Sequence, residues 1–168
     1  MKKIYLAGGC FWGLQKFFDQ FDGLISTEVG YVNGPDNVDG HSPSYEEVCR
    51  SSGHAEAVKV AYDEDRISLT ELIRFYFMVI DPLSVNRQGN DWGIQYRNGI
   101  YYTDSEQLQE IRLVYDTEQN KTGKPLAVEL EKIRNFFSAE EYHQKYLVKN
   151  PAVYCHIPDK YYHLANRL

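Results

Sequence analysis

Residues 4–21 restrict the fold more than any other stretch of this chain. The apolar run Ile4-Tyr5-Leu6-Ala7 reads as a strand, Gly8-Gly9 break it, and Leu14, Phe17, Phe18 and Phe21 then recur on one helix face. The chain therefore opens with a strand that turns directly into an amphipathic helix. Cys10 falls at that junction, where the positive end of a helix dipole lowers a thiol's pKa toward the thiolate. The competing reading is a small buried cysteine in a tight turn, and spacing alone does not choose between the two. Gly9 lets the backbone turn sharply and another molecule come close to the sulfur. Phe11 and Trp12 are adjacent, so on a helix they point about 100° apart and cannot both be well buried on one stripe. At least one ring is expected near the surface beside the thiol, a costly place unless something binds there.

The remaining periodicities predict the rest of the fold. Alternation over Ile25–Tyr31 and again over Ala55–Tyr62 predicts two strands, separated by a turn-rich loop at 33–43 that ends at Ser44-Tyr45-Glu46-Glu47. Ser68-Leu69-Thr70-Glu71 is a capping box that opens a helix reaching about Ile80, stopped by Asp81-Pro82. A second long polar loop, 83–98, carries Gly89-Asn90-Asp91-Trp92-Gly93 and precedes a short strand at Gly99–Tyr102. A helix from about Ser105 to Gln119, a strand at Leu126–Leu130 and a last helix opened by Ser138-Ala139-Glu140-Glu141 complete the order, and an irregular tail follows from Asn150. Consecutive strands without a crossover helix pair antiparallel. The expected architecture is thus α/β (α+β): a two-layer sandwich with a mixed, mainly antiparallel sheet, a ferredoxin-like core and an irregular C-terminal tail. At 168 residues the chain is expected to form one domain, 1–168, with a real core. Two long loops in such a domain usually carry function.

Charge and cysteine usage exclude several classes. With 24 acidic against 18 basic residues and no basic run, nucleic acid is not an expected partner. No apolar stretch approaches the ~18 residues of a membrane span, and the N-terminus lacks a signal-peptide pattern, so a cytoplasmic protein with no membrane partner is expected. Cys10, Cys49 and Cys155 are widely spaced with no Cys-x-x-Cys, which argues against a disulfide framework and a zinc knuckle. The five histidines form no compact ligand set, and the adjacent Cys155-His156 has no nearby third ligand, so no metal is expected.

Gly53-His54-Ala55-Glu56 puts a carboxylate at the start of a strand that otherwise reads as core, on the same face as Val58, Val60 and Tyr62. A glutamate there would be desolvated and its pKa raised, which suits a general acid near neutral pH. The alternative is that Glu56 is the exposed end of the strand. Tyr45, Tyr96 and Asp91 sit in or beside the long loops, where each alone reads as a solvated residue or a packing ring.

Together these segments resemble the A-type peptide methionine sulfoxide reductases, which reduce the S epimer of methionine sulfoxide. The resemblance covers nearly the whole chain. It rests on Gly9-Cys10-Phe11-Trp12-Gly13, Gly30-Tyr31, Ser44-Tyr45-Glu46-Glu47-Val48 and Gly53-His54-Ala55-Glu56-Ala57-Val58. Asn86 to Gly93, Gln95-Tyr96-Arg97, Ala139 to Gln144, Asn150-Pro151 and Tyr154-Cys155 complete it.

The resemblance implies a peptide-methionine (S)-S-oxide reductase acting on oxidised peptides or proteins and on free methionine sulfoxide. No cofactor is bound, and thioredoxin is the external reductant. It casts Cys10 as the nucleophile on the sulfoxide sulfur and Glu56 as the proton donor to its oxygen, with the Tyr45 and Tyr96 hydroxyls polarising that oxygen. Phe11 and Trp12 would hold the substrate methyl group, and Asp91 would help position the methionine backbone. Attack would leave a Cys10 sulfenic acid, and Cys155 matches the family's position for the cysteine that resolves it to a disulfide. Cys49 is the competitor and is expected to be a buried spectator.

The chain departs from the family pattern at Asn33, often glycine, at Ser52, often threonine, and at Ile80 and Leu83, which replace His and Thr around Asp81-Pro82. None is an implied site residue. The tail lacks the glycine-rich extension with a further cysteine, so a two-cysteine cycle is expected. Two other readings remain: a cysteine-based peroxidase acting through Cys10, which leaves Glu56 and Trp12 unexplained, and a non-catalytic peptide-binding α/β module.

Overall fold

In the computed structural model, which describes residues 1–167, the first strand β1 (Lys2–Ala7) runs into helix α1 (Phe11–Phe18), as the apolar pattern requires. There follow β2 (Leu24–Val32), the short helix α2 (Tyr45–Cys49), β3 (Ala55–Tyr62), α3 (Leu69–Met78) and a two-stranded ribbon of β4 (Arg87–Gln88) and β5 (Asp91–Trp92). The chain continues through β6 (Asn98–Tyr102), α4 (Ser105–Thr122), β7 (Val128–Lys132), β8 (Phe136–Ser138) and α5 (Tyr146–Lys149). The main sheet has the order β7-β6-β1-β3-β2-β8. Every pairing in it is antiparallel except β6 with β7. Its inner four strands follow the ferredoxin-like order, with β1 and β3 central, so the expected mixed, mainly antiparallel α/β architecture holds.

The two faces of the sheet differ in side-chain size. On the helix-covered face Ile4, Leu6, Val58, Val60 and Tyr62 pack with Phe17 and Phe18 of α1 and Leu72, Ile73 and Tyr76 of α3, all buried. Burying rings and branched chains of this size contributes about 1.5–3 kcal/mol each. The other face carries Ala7, Ala55 and Ala57, with Val32 and Tyr101, under partly buried Phe136 and Ile133. Small residues let those covering segments lie close. Of the eight residues of β3 only Lys59 is not buried, so Glu56 enters the sheet with no route to water along its own strand.

Several local expectations hold and others are corrected. The Ser68–Glu71 capping box closes reciprocally at the start of α3. A second box, Ser44–Glu47, opens α2 where only a loop end was expected. Ser138-Ala139-Glu140-Glu141 does not open a helix. Ser138 is spent in β8, paired with Gly30 of β2. The Ala139 N–H continues that pairing by donating to the Val29 carbonyl at 3.0 Å, and the Glu140 carboxylate accepts from the Tyr45 N–H at 3.1 Å and the Tyr31 hydroxyl at 2.8 Å, so the segment is held extended against β2 and α2. A single 3-10 turn at Glu141–His143 and the four-residue α5 stand in place of the expected helix.

Two devices position the loops over the end of the sheet where β1 hands over to α1. The buried Tyr76 hydroxyl donates to the Ala7 carbonyl (2.6 Å) and accepts from the Gly99 N–H (3.1 Å), bridging β1 and β6 just before Gly8. Buried Gln88 anchors the β4–β5 ribbon: its amide donates to Asn98 Oδ1 (3.0 Å) and the Asp81 carbonyl (3.1 Å) and accepts from the Asp81 N–H (2.8 Å). The tail then crosses α1. Ile157 is buried in the core, and Gln20 donates to the Tyr161 carbonyl at 2.7 Å. No helix among the described residues is long and apolar enough to cross a membrane.

Candidate active site

Cys10 is the N-cap residue of α1, in extended geometry, and Gly9 before it has φ +78°, a conformation that favours glycine. The Gly9 N–H donates to the Tyr96 carbonyl at 3.2 Å, which ties the turn to the 3-10 segment Ile94–Tyr96. A Cβ on Gly9 would also lie 2.6 Å from the His156 ring and 2.7 Å from Gln88 Cβ, so space as well as φ demands glycine. The helix N-terminus divides its first donors. The Phe11 N–H goes to Glu56 Oε1 at 3.2 Å, while that of Trp12 serves the Cys10 sulfur. The expectation of a lowered thiol pKa is overturned. Burial pushes the Cys10 thiol well above its ordinary value, the charges of Glu56, Asp91 and Cys155 add to that, and the Trp12 N–H is outweighed. The resting site holds Cys10 as a thiol.

Glu56 is 1% exposed, which removes the exposed-strand-end reading. Its Oε2 is buried and has no hydrogen-bond partner. Desolvation raises its pKa to about 8, with Asp91 adding and the Phe11 N–H and His156 opposing. At neutral pH the side chain is therefore mostly a neutral carboxylic acid, able to give up a proton. His54, two residues earlier, is a satisfied structural residue, bonded to Ser52 Oγ and the Pro35 carbonyl at 2.8 Å each.

Tyr45, the first residue of α2, and Tyr96, the last of the 3-10 segment, both come beside Glu56. Burial raises both phenol pKa values, and the charge of Glu56 raises them further, so both remain hydroxyl donors. Phe11 is fully buried against Tyr31 (ring centroids 5.8 Å) and His143 (5.3 Å), whereas Trp12 is half-buried, stacked on Tyr146 at 3.8 Å. One ring of the pair does stand near the surface, as the helical geometry requires. Trp12 Nε1 donates to His143 Nδ1 at 3.0 Å, which fixes the His143 proton on Nε2. That Nε2 is buried without a partner, and the ring lies 4.4 Å from Tyr45. His143 is a site residue that sequence reasoning missed. Its position in the Glu140-Glu141-Tyr142-His143 run was visible, but the tryptophan that orients it is 131 residues away.

The tail completes the arrangement. Cys155 Sγ accepts from the Tyr162 hydroxyl at 3.0 Å and the Ile157 N–H at 3.4 Å, and lies 4.0 Å from His156 Nδ1. It sits against Gly13, where a Cβ would collide with the sulfur. Cys155 is thus held one helical turn from Cys10. Burial opposes its thiolate, but hydrogen bonds from His156, Tyr162 and Ile157 outweigh burial and lower its pKa. Asp91 pairs with His156, Oδ2 to Nδ1 at 3.3 Å. Tyr162 and the Asp91–His156 pair were not foreseen: Cys155-His156 read from sequence only as an incomplete metal set. Cys49, expected to be buried, is an exposed residue at the C-terminal end of α2; partial desolvation of its sulfur raises its pKa, the charges of Glu56 and Glu140 add to that, and a hydrogen bond with Tyr45 opposes it. Among the described residues no three His, Cys, Asp or Glu side chains cluster to hold a metal ion.

The site therefore brings a thiol, a neutral acid, two phenols and an apolar wall together, with a second thiol held beside them. A family model described as peptide methionine sulfoxide reductase matches residues 2–165. The peptide methionine sulfoxide reductase MsrA of Lachnoclostridium phytofermentans is 51% identical over 157 residues, 93% of this chain and 92% of the relative. Among solved structures, Mxr1 from Saccharomyces cerevisiae in reduced form superimposes with a TM-score of 0.87 at 40% identity, covering 92% of this chain and 88% of that one. Mxr1 in complex with Trx2 gives a TM-score of 0.60 at 27% identity, covering 86% and 84%.

Proposed function

The chain belongs to the peptide methionine sulfoxide reductase family and carries that activity, and on that premise we propose that Cys10 is its nucleophile and Glu56 its acid. The observation that carries the assignment is Glu56 itself, a fully desolvated carboxylic acid whose free oxygen has no partner in the protein. A sulfoxide oxygen is a poor leaving group until it is protonated, and this is the group that can protonate it. The Tyr45 and Tyr96 hydroxyls donate to the same oxygen. Phe11 and Trp12 hold the S-methyl group, and Asp91 lies at the rim to meet the methionine backbone. Three different walls around one sulfur select the S epimer.

In the first half-reaction the Cys10 sulfur bonds to the substrate sulfur as Glu56 protonates the oxygen, and the hydroxyl then passes to Cys10 as the substrate's S–O bond and its bond to Cys10 break. The products are a Cys10 sulfenic acid and methionine, and Glu56 recovers the proton that Cys10 lost. In the second half-reaction Cys155 displaces that hydroxyl as water and forms a disulfide, which an external dithiol reduces. The complex of the yeast relative with Trx2 supports thioredoxin as that dithiol. Residues 1–168 act as a single reductase domain, on oxidised peptides or proteins and on free methionine sulfoxide. The cycle needs no bound cofactor, and the cytoplasm is the compartment that recharges such thiols.

Turnover of the separated S and R sulfoxides, with thioredoxin and with a small dithiol, tests the proposal. S-selective turnover that Cys10→Ser abolishes is expected. Hydroperoxide turnover above that of the S-sulfoxide would establish a peroxidase instead, and peptide binding with no turnover of either sulfoxide by the wild-type protein would establish a binding module.

A further inference from the structure

We propose that His156 is the acid–base residue of the second half-reaction, taking the proton from Cys155 and delivering it to the hydroxyl that leaves Cys10. The proposal rests on the roles given above to Cys10 and Cys155 and adds a residue to neither the substrate pocket nor the first step.

Three observations carry it. The first is that His156 Nδ1 faces both partners that a base at this place needs: Cys155 Sγ at 4.0 Å and Asp91 Oδ2 at 3.3 Å. Asp91 comes from β5, 65 residues away, and supplies the charge that makes an imidazolium tolerable in a side chain only 3% exposed. The second is that His156 Nε2 is buried and has no partner. A buried ring N–H left unpaired is costly, and a native structure retains one where something else uses it. The third is its place. A Cβ on Gly9 would lie 2.6 Å from His156 Cε1 and 2.8 Å from Nε2, so this nitrogen lies over the residue directly preceding Cys10. One ring nitrogen meets the attacking thiol, and the other lies beside the backbone of the thiol that is attacked.

The proton inventory closes with these two nitrogens. The Cys155 S–H gives its proton to the imidazole at Nδ1, and the thiolate attacks the Cys10 sulfur. The S–S bond forms as the S–O bond breaks, and the hydroxyl leaves with a proton from Nε2 as water. The thiol sulfur is oxidised and the sulfenic sulfur reduced to the common disulfide level, so no outside oxidant or reductant enters. Asp91 and Cys155 together, acting against burial, raise His156 to about 9, so the imidazole is basic enough to take this proton. Hydrogen bonds from His156, Tyr162 and Ile157 hold the Cys155 thiol below its ordinary value.

The test uses the reduced full-length protein mixed with one equivalent of methionine S-sulfoxide, with methionine and free thiols quantified over time. His156→Gln is expected to slow disulfide closure at least tenfold more than it slows methionine formation, within the range of general acid–base catalysis. Imidazole added to His156→Ala should restore part of the closure rate, which a residue that merely docks the tail would not show. In a Cys10→Ser background, the pH midpoint for alkylation of Cys155 should rise toward an ordinary thiol on His156→Gln. The titratable groups that face His156 are Asp91, Cys155 and, through its charge, Glu56, and all three stay in that background. Equal slowing of the two phases, or an unmoved alkylation midpoint, overturns the role of His156 alone. Absence of a Cys10–Cys155 disulfide from the wild-type protein overturns the reading beneath it as well, so the two failures are distinct.

Discussion

The Phe11 N–H donates to Glu56 Oε1 at 3.2 Å, and the other Glu56 oxygen has no partner at all. A carboxylate held ionised in a protein interior commonly accepts two or three such bonds. With one, desolvation wins, and the acid stays protonated to about 8. The same bond fastens the acid to the first turn of the helix that Cys10 caps, so the two groups move as one unit. A charged Glu56 would oppose a Cys10 thiolate beside it, and a neutral one does not. The site therefore waits with both protons in place until a sulfoxide oxygen arrives to take the first.

Glu56→Gln keeps the acceptor for the Phe11 N–H and removes only the proton. Methionine formation in a single turnover should fall by about 10²- to 10⁴-fold, the usual range for loss of a general acid. The wild-type rate should decline as pH rises through about 8, where Glu56 ionises, and the variant should lack that decline. Rapid-quench measurements from pH 6 to 9.5 show both. A variant that keeps the wild-type limb would assign it to another group.

The same substitution should stabilise the protein at neutral and alkaline pH. The folded pKa of Glu56 is raised, so the folded state binds more protons than the unfolded one between the ordinary carboxylate value and about 8. Wild-type stability is then greatest below that window and is lost as pH rises through it, by roughly 1.4 kcal/mol per pH unit. Glu56→Gln has no such loss. Chemical denaturation of both proteins should give a gap that widens from pH 5 to about pH 8 and levels above it. A constant gap would mean that Glu56 is ionised in the folded protein.

The strand, turn and helix around Cys10 were legible because their signals are local: a period-2 run, two glycines and a 3.6-residue stripe. Glu56 was legible as a misfit in an otherwise apolar strand. What sequence could not give was competition between effects. The helix dipole does favour a Cys10 thiolate, yet burial is larger and decides the direction. Ser138-Ala139-Glu140-Glu141 has the spacing of a capping box, yet Ser138 and Ala139 are claimed by β2, about 100 residues away. Asp91 reads alone as a solvated loop residue, and only the fold, which brings the tail across it, pairs it with His156.

Cys155→Ser should still convert about one sulfoxide per protein molecule, since the first half-reaction needs only Cys10 and Glu56. Thioredoxin-driven cycling should stop. Counting methionine formed per enzyme, with and without thioredoxin, separates these phases. Several turnovers with thioredoxin would assign resolution to the exposed Cys49, or to direct reduction of the sulfenic acid.

Gly13→Ala tests how the tail is presented. Alanine is worth up to about 1 kcal/mol over glycine inside a helix, so α1 itself should not weaken. The new Cβ, however, would occupy the space of Cys155 Sγ, which Tyr162 and Ile157 hold from the other side. The sulfur must back away, together with the tail segment that carries it. Misplacing a reacting group by ~1 Å can cost up to about 10²-fold. Closure of the Cys10–Cys155 disulfide should therefore slow by tenfold or more, and thioredoxin-driven turnover should fall further than the yield of the first turnover does. The melting temperature should not fall in step with activity. Thioredoxin-driven turnover at the wild-type rate would show that the resting seat of Cys155 on α1 is not the position from which it attacks.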